Sequence, residues 1–249
     1  MSRHPDPKII VLENPEEVAQ RAAEHFVKLA DQCVRHDQLF SVALAGGNTP
    51  RRMYELLATD FFSGSIDWSK VHIFFGDERS VPHDLPESNF RLAYEALLEK
   101  VTIPAENVHR MNGVGDLKNN AREYEDELRE FFRGSEWPQF DLVLLGLGKD
   151  AHTASLFPQT DALNETRAWV AANWVQKLNT SRITLTAPAI NAAAQVMFMV
   201  TGADKAQALK AVLGSPSDVQ RYPAQLIKPS SGELTWLVDA GAASLLENH

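Results

Sequence analysis

The stretch DLVLLGLGKDAHTASLFP, residues 141–158, places an apolar run directly before a glycine turn, an acid, an imidazole and a hydroxyl. Residues 141–148 are almost continuously apolar, which is typical of a strand buried on both faces in a parallel sheet. Gly146 and Gly148 then allow the chain to turn. In open α/β sheets, ligands bind where the carboxyl ends of the strands meet the following helices. The residues after this strand are therefore candidates for a functional site.

The same alternation of short apolar and longer amphipathic segments runs along the whole chain. Strands are predicted at 8–13, 39–45, 71–75, 141–148 and 195–201, with weaker candidates at 168–173, 181–186 and 233–239. Helices are predicted at 14–34, 50–59, 88–100, 119–133 and 203–213. Strands that alternate with helices predict a doubly wound α/β sandwich, whose mostly parallel sheet has helices on both faces.

Composition indicates one globular domain, 1–249. The 249 residues are 44% hydrophobic and 23% charged, and no Gly/Ser run, Pro-rich stretch or repeat suggests a linker. The net charge of −9 argues against a general surface for nucleic acid or an anionic membrane, since both require basic patches. It leaves room for an anionic small molecule in a locally positive pocket. We expect a monomer or a weak homo-oligomer.

The cysteine content and the first residues predict a cytoplasmic protein. Cys33 is the only cysteine, so no internal disulfide can form. The segment MSRHPDPKIIVLENPEE has no apolar signal core, and no run approaches the roughly 20 apolar residues of a membrane span. Cys33 falls in phase with Val18 and Phe26 on one face of the predicted helix 14–34, which favours a core thiol over a nucleophile.

The loop after the strand at 39–45 predicts an anion site. Gly46 and Gly47 permit a tight turn with room for a ligand against the backbone. Thr49 suits a helix N-cap and Pro50 the first helical position, so free N–H groups would face a phosphate. Neither the dinucleotide fingerprint nor the Walker pattern is present, which disfavours a bound nucleotide.

Charged residues follow the strand at 71–75. Asp77, Glu78 and Arg79 are interpreted as a loop triplet with at least one member directed into the cleft at the sheet edge. Ser88 and Asn89 are interpreted as loop and N-cap residues of the next helix.

His152 is the candidate for proton transfer. It is predicted in the first turn of a short helix, HTASLF, beside Asp150 and at a strand end, and a neutral imidazole is a competent base near pH 7. A metal site is disfavoured, because the chain has no HExxH pattern and neither His72 nor His109 obviously converges on His152. Two cations, Arg182 and Lys205, are candidates for binding phosphate, although each alone is more typical of a solvated surface charge.

Several motifs together resemble the 6-phosphogluconolactonase family. They are AGGNTP (45–50), FFGDERSVP (74–82), ESNF (87–90), GLGKDAHTASLFP (146–158), RITLTAP (182–188) and TGADKAQAL (201–209). The resemblance covers about residues 39 to 239. It implies a Rossmann-like fold, no cofactor and no metal, and hydrolysis of 6-phospho-D-glucono-1,5-lactone to 6-phospho-D-gluconate in the oxidative pentose phosphate pathway.

The resemblance also implies roles for individual residues. His152 matches the general base, and Asp77 and Arg79 match an active-site pair. Either Asp77 or Asp150 could orient the imidazole. The residues that match the family's positions for binding the substrate phosphate are Gly46, Gly47, Asn48, Thr49, Arg182 and Lys205.

Two departures from the family pattern bear on the geometry of the site. Ala151 stands where the family usually has glycine, and Gln159 stands where glycine often follows the proline. If the first position requires a positive φ angle, a side chain there would shift His152.

Two alternative functions remain at this point. A glucosamine-6-phosphate isomerase/deaminase shares the Gly-Gly-x-Thr-Pro and Asp-x-His features, but usually continues toward AFNEP where this chain has TASLFP. A non-catalytic sugar-phosphate sensor would keep the phosphate loop and normally carry a helix-turn-helix. The 38 residues before LFSVALA contain only one predicted strand and one predicted helix, which disfavours the sensor.

Overall fold

The computed structural model describes residues 7–214 and 216–246, so residues 1–6, 215 and 247–249 of the predicted domain lie outside the described residues. The strands are β1 (Lys8–Leu12), β2 (Phe40–Leu44), β3 (Val71–Phe75), β4 (Asp77–Arg79), β5 (Leu142–Leu145), β6 (Val170–Val175), β7 (Thr180–Leu185), β8 (Gln195–Val200) and β9 (Glu233–Asp239).

The helices flank these strands. They are α1 (Pro15–Arg35), α2 (Asn48–Leu57), α3 (Asp60–Ser63), α4 (Asn89–Ala96), α5 (Leu117–Phe131), α6 (Ala187–Asn191), α7 (Ala206–Gly214) and α8 (Ala240–Ala243). Single 3₁₀ turns lie at Trp68–Lys70, Leu98–Lys100, Ala105–Asn107, Asp161–Asn164, Gln176–Leu178, Ala203–Lys205 and Pro223–Leu226. In the described part of the chain, no helix is long and apolar enough to cross a membrane.

Six strands form a parallel sheet in the order β1-β9-β8-β5-β2-β3. The predicted mostly parallel sheet with flanking helices is therefore confirmed. All residues of β2 and β5 are buried, as expected for central strands that are covered on both faces. The hydrophobic core lies along this sheet, where Phe198 of β8 stacks on Trp236 of β9 with ring centroids 3.7 Å apart.

A second, antiparallel sheet has the order β4-β7-β6. The weaker strand candidates at 168–173 and 181–186 belong to it. The interpretation of Asp77–Arg79 as a loop is wrong, because these residues form β4 and pair with β7, with Arg79 opposite Arg182. A three-residue strand has too little local pattern to identify, and its partner lies far along the chain.

Local signals at the start of α1 are confirmed. The Asn14 side chain accepts a hydrogen bond from the Glu17 backbone N–H at 3.0 Å, and Pro15 occupies the first turn. Cys33, on the same helix, is half-buried and packs against the core. Burial, followed by the nearby Asp141 carboxylate, raises the pKa of its thiol to about 11, which keeps the thiol protonated at neutral pH.

Two predicted helix starts are wrong. Helix α2 begins at Asn48 with Gly47 as its N-cap, and Thr49 instead places its hydroxyl oxygen 2.7 Å from that of Thr201 at the end of β8. The segment HTASLF forms no helix. Residues 152–156 follow an irregular path that contains one isolated bridge between Thr153 and Leu156.

Two buried tyrosines fix the carboxyl ends of neighbouring strands. The Tyr54 hydroxyl, on α2, donates to the Ala45 carbonyl at 2.8 Å and accepts from the Ala45 N–H at 3.1 Å. The Tyr124 hydroxyl, on α5, accepts from the Phe75 N–H at 3.0 Å. Because both rings are buried, these hydroxyls satisfy backbone groups that water cannot reach. The turn that follows β2 is therefore fixed to α2 through Tyr54.

We expect Tyr54→Phe to lower the free energy of unfolding by about 1–3 kcal/mol, because the buried Ala45 N–H and carbonyl lose their partner. Tyr94 is exposed, so Tyr94→Phe is the matched control and should change stability by less than about 0.5 kcal/mol. Urea denaturation of the two variants measures the difference. Equal stability of both variants would show that water replaces the Tyr54 hydroxyl.

Candidate active site

A cavity of about 410 Å³ lies where the carboxyl ends of β2, β3, β5 and β8 meet the hairpin between β6 and β7. Its volume lies within the range that small-molecule sites occupy. Its lining residues are Ala45, Gly46, Gly47, Asp77, Arg79, Gly146, Leu147, Gly148, His152, Thr153, Ala154, Ser155, Phe157, Lys177, Leu178, Arg182 and Lys205. Residues from six separate loops or strands thus line one cavity at the predicted edge of the sheet.

A tight turn after β5 presents His152. The Gly148 N–H donates to the His152 carbonyl at 2.8 Å, and the Ala151 N–H donates to the Gly148 carbonyl at 2.9 Å. Ala151 adopts a φ angle of 62°, so this position does use the left-handed conformation that favours glycine. The alanine accommodates that backbone, and the contact between His152 and Asp150 forms across the turn.

Asp150, rather than Asp77, contacts the imidazole. His152 Nδ1 lies 2.5 Å from Asp150 Oδ1, and the Lys177 ammonium donates to Asp150 Oδ2. Burial raises the pKa of Asp150, but the hydrogen bonds from His152 and Lys177 outweigh it and lower that pKa well below its ordinary value. Because an ionised carboxylate can only accept, Nδ1–H of His152 donates this hydrogen bond, and in a neutral ring Nε2 then carries no proton.

Packing restricts the imidazole on two sides. The Phe157 ring stacks on it with centroids 4.0 Å apart and an interplanar angle of 21°. On another side, a Cβ atom at Gly148 would lie 2.0 Å from His152 Nδ1. Only glycine at position 148 leaves room for the ring in this orientation.

Asp77 is part of a buried polar network. Its carboxylate accepts hydrogen bonds from the Ser155 hydroxyl at 2.6 Å and from the Asn89 amide nitrogen at 3.1 Å. Among the residues that the structure describes, the Asn89 amide oxygen has no hydrogen-bond partner; it faces Gly46, where a Cβ atom would lie 1.8 Å from it. Gly46 is required at this position because the amide of Asn89 fills the space of a side chain.

Glu78 binds the start of helix α4 and does not line the cavity. Its carboxylate accepts from the backbone N–H groups of Arg79, Asn89 and Phe90 and from the Ser88 hydroxyl, at 2.7–2.9 Å. These contacts join β4 to the amino end of α4, where N–H groups have no intrahelical partner. The predicted triplet 77–79 is therefore divided, with Asp77 and Arg79 lining the cavity and Glu78 behind it.

Three cations besides Lys177 line the cavity. Arg79 and Arg182 are cross-strand neighbours, and burial followed by the charge of Arg79 lowers the pKa of Arg182 from its ordinary value. Arg79 Nη1 donates to the Glu87 carbonyl at 2.5 Å, and Arg182 Nη1 donates to the Ser181 carbonyl at 2.9 Å. Within residues 7–214 and 216–246, the Lys205 ammonium makes no hydrogen bond or ion pair. The cavity therefore carries excess positive charge inside an acidic protein.

The structure brings together most of the residues selected from the sequence. Those that line the cavity are Gly46, Gly47, Asp77, Arg79, His152, Arg182 and Lys205. Asp150 does not line the cavity but contacts His152, which does. Asn48 and Thr49 do not line it, because they form the first turn of α2, with the Thr49 hydroxyl turned to Thr201.

Sequence reasoning missed Lys177 and Phe157 and did not recognise the position of Ser155, whose hydroxyl reaches Asp77. Lys177 lies on a hairpin with no recognisable motif, so no local signal identifies it. Asn89 was interpreted as a capping residue, whereas its side chain also fixes Asp77 and Gly46.

His72 and His109 form a pair that lies apart from the cavity. His72 Nδ1 is 3.0 Å from His109 Nε2, and His109 Nδ1 is 2.6 Å from Glu127 Oε1. Neither histidine is among the residues that line the cavity. Over the described ranges, no three His, Cys, Asp or Glu side chains come together in an arrangement suited to a metal ion.

Comparison with known proteins identifies relatives along nearly the whole chain. A protein called 6-phosphogluconolactonase from a Nostoc species is 41% identical over 242 residues, which cover 95% of this chain and 97% of the relative. One of the same name from a Synechocystis species is 41% identical over 243 residues, or 96% and 98% of the two chains.

A solved structure, 6-phosphogluconolactonase from Trypanosoma cruzi, superposes with a TM-score of 0.84 at 31% identity, covering 98% of each chain. The model of the family described as glucosamine-6-phosphate isomerases/6-phosphogluconolactonase matches residues 13–236. The chain belongs to this glucosamine-6-phosphate isomerase/6-phosphogluconolactonase family.

Proposed function

We propose that the protein hydrolyses 6-phospho-D-glucono-1,5-lactone to 6-phospho-D-gluconate. One observation carries the proposal: the imidazole of His152, held by Asp150, lines the same cavity as Gly46, Gly47, Arg182 and Lys205. A group able to move a proton and a set of groups able to bind phosphate therefore face one ligand. The relatives named 6-phosphogluconolactonase support the choice of substrate.

The phosphate end of the substrate is assigned to the turn after β2 and to two cations. Gly47 has a φ angle of 107° and caps α2, so its neighbourhood offers backbone N–H groups at a positive helix end. Lys205, whose ammonium has no ion pair or hydrogen bond among the described residues, adds a point charge, and Arg182 adds a planar donor pair. Binding at this end orients the lactone carbonyl at the other end.

Water is the nucleophile in this mechanism. His152 Nε2 takes a proton from water as the water oxygen forms a bond to the lactone carbon, C1. The tetrahedral intermediate then breaks the bond between C1 and the ring oxygen, and His152 returns the proton to that oxygen. The net change is the addition of one water molecule, and the same imidazole serves first as base and then as acid.

The negative charge that develops on the carbonyl oxygen needs hydrogen-bond donors. Arg79 is one candidate, since it lines the cavity, and backbone N–H groups of the glycine turns are others. Asp150 holds the imidazole tautomer that leaves Nε2 free, while Asp77 organises Ser155 and Asn89 around the pocket. The assigned reaction requires no cofactor.

Two further expectations belong to this proposal. The first is that the protein is a monomer or a weak homo-oligomer. The only cysteine, Cys33, can form no internal disulfide, which suits a reducing cytoplasm.

The direct test of the proposal is hydrolysis of freshly generated 6-phosphogluconolactone, corrected for its spontaneous opening. Rapid turnover is expected, with no release of ammonia from glucosamine 6-phosphate. Ammonia release without lactone hydrolysis would assign the chain to the isomerase branch of its family instead.

We expect His152→Ala to lower kcat about 100-fold or more, because general acid–base catalysis contributes on that scale. Binding of the product, 6-phosphogluconate, should change little, since the phosphate contacts remain. Exposed His36, at the end of α1, offers the control His36→Ala, which should keep native turnover. Steady-state kinetics and calorimetric titration of product measure the two effects, and near-native kcat in His152→Ala would remove this residue from the mechanism.

We expect Arg182→Ala and Lys205→Ala to raise KM for the phosphorylated lactone roughly tenfold or more, since each removes a charge-assisted contact. The KM for unphosphorylated gluconolactone should rise far less, because this lactone has no phosphate to bind. Exposed Lys118 on α5 gives the control Lys118→Ala. If the KM values for both lactones rise equally, these two cations do not bind the phosphate.

A further inference from the structure

Lys177, in the hairpin between β6 and β7, contacts Asp150, the acid that contacts His152. Lys177 lies in the 3₁₀ turn Gln176–Leu178, and Asn179 reverses the chain with a φ angle of 48°. The Lys177 ammonium donates to Asp150 Oδ2, whereas His152 Nδ1 contacts Oδ1 of the same carboxylate. The carboxylate is therefore shared between an ammonium and an imidazole.

Lys177 also contacts the other group that restrains the imidazole. Its ammonium lies 5.3 Å from the centroid of the Phe157 ring, which is within range of a cation–π interaction. Phe157 in turn stacks on His152. One side chain from a separate sheet thus touches both the carboxylate and the aromatic ring that define where His152 lies.

The charge of Lys177 has a consequence for proton transfer. An ionised carboxylate beside an imidazole favours the protonated imidazolium, which cannot accept a proton. An ammonium on the second oxygen opposes this effect, because it repels the imidazolium and attracts part of the carboxylate's charge. The side chains of Asp150 and His152 are 26% and 29% exposed, so solvent screens their charges less than at an open surface, whereas the Lys177 side chain is 52% exposed and its charge is screened more.

We propose that Lys177 is a positioning residue that, through Asp150, keeps His152 in the neutral, proton-accepting form and fixes the orientation of its ring. This role rests on the proposed lactone hydrolysis. Lys177 is engaged by Asp150, unlike Lys205, whose ammonium makes no hydrogen bond or ion pair among the described residues. The two lysines of the cavity therefore have different roles, one toward the imidazole and one toward the phosphate.

Other charged groups near His152 remain unchanged when Lys177 alone is replaced. Those on the cavity wall are Asp77, Arg79, Arg182 and Lys205. On the same loop, Lys149 forms an exposed ion pair with Asp204 at 3.2 Å, outside the residues that line the cavity. Lys149 is therefore a matched control, because Lys149→Met also removes one lysine charge near His152, from the loop that carries His152, and leaves the contact between Lys177 and Asp150 in place.

The experiment compares Lys177→Met, Lys177→Arg and Lys149→Met by measuring kcat and KM across the pH range. In Lys177→Met, the acid limb of the kcat profile should move upward by about one pH unit, so kcat on that limb falls roughly tenfold. On the alkaline plateau, kcat should fall less, and KM should change less than about twofold. Lys177→Arg should restore most of the native profile, and Lys149→Met should leave it unchanged.

Three results would overturn the proposal. An acid limb that does not move in Lys177→Met shows that the ammonium has no influence on the imidazole. An equal movement in Lys149→Met shows a general charge effect. A rise in KM for the phosphorylated lactone alone, with the native pH profile, shows that Lys177 binds the phosphate instead.

A second measurement separates this proposal from the proposed function. The His152 ring is titrated by NMR in the free protein, with its signals assigned from His152→Gln. The pH at which the ring titrates should rise in Lys177→Met by the same amount as the acid limb. If the ring responds in this way but the native protein does not hydrolyse the lactone, the proposed function fails alone. If the lactone is hydrolysed and the ring does not respond, only the role of Lys177 fails.

Discussion

The candidate site depends on one geometric constraint: the strands of a parallel sheet all end at the same edge. The turns after β2, β5 and β8 are remote from each other in sequence, yet each must begin at that edge. This brings Gly46, His152 and Lys205 to a single cavity although their segments are far apart along the chain. The antiparallel sheet β4-β7-β6 closes the cavity from the side and contributes Arg79, Lys177 and Arg182.

Buried carboxylates give this edge its rigidity. Asp77 and Glu78 lie in consecutive positions of β4 and are 8% and 2% exposed, so leaving either unpaired would cost several kcal/mol. Glu78 is satisfied by donors at the start of α4, and Asp77 by Ser155 and Asn89. Asp77 and Ser155 on the cavity wall are thereby held by hydrogen bonds within the protein, and such preorganised polar groups are what electrostatic stabilisation of a transition state requires.

The loop after β5 contains backbone that is costly to form. Ala151, Ala154 and Gln159 all have φ angles between 46° and 62°, and left-handed conformations cost non-glycine residues about 1 kcal/mol or more each. Contacts of the same loop offset this cost, including Asp150 with His152 and Ser155 with Asp77. Such strained backbone concentrates at functional sites, where the shape of the loop matters more than its own stability.

Local sequence alone determined the elements whose signal lies within a few residues. The buried strand β3 and the weaker candidate β9 have the predicted bounds, and α1 has the predicted Asn14 cap, because apolar runs and caps act over short distances. The motifs that carry the family resemblance also contain His152 and most of the residues that line the cavity. Those motifs carry information about chemistry even where the local structure assigned to them, such as a helix at HTASLF, is wrong.

Tertiary structure decided the features whose partners are distant in the chain. The strand β4 forms by pairing with β7. The acid that contacts His152 is Asp150, whereas Asp77 accepts hydrogen bonds from Ser155 and Asn89. The position of Lys177 follows only from the way the β6–β7 hairpin folds over the loop after β5. Hydrogen bonds and ion pairs of this kind depend on atoms meeting in space, and no pattern along the sequence specifies which atoms meet.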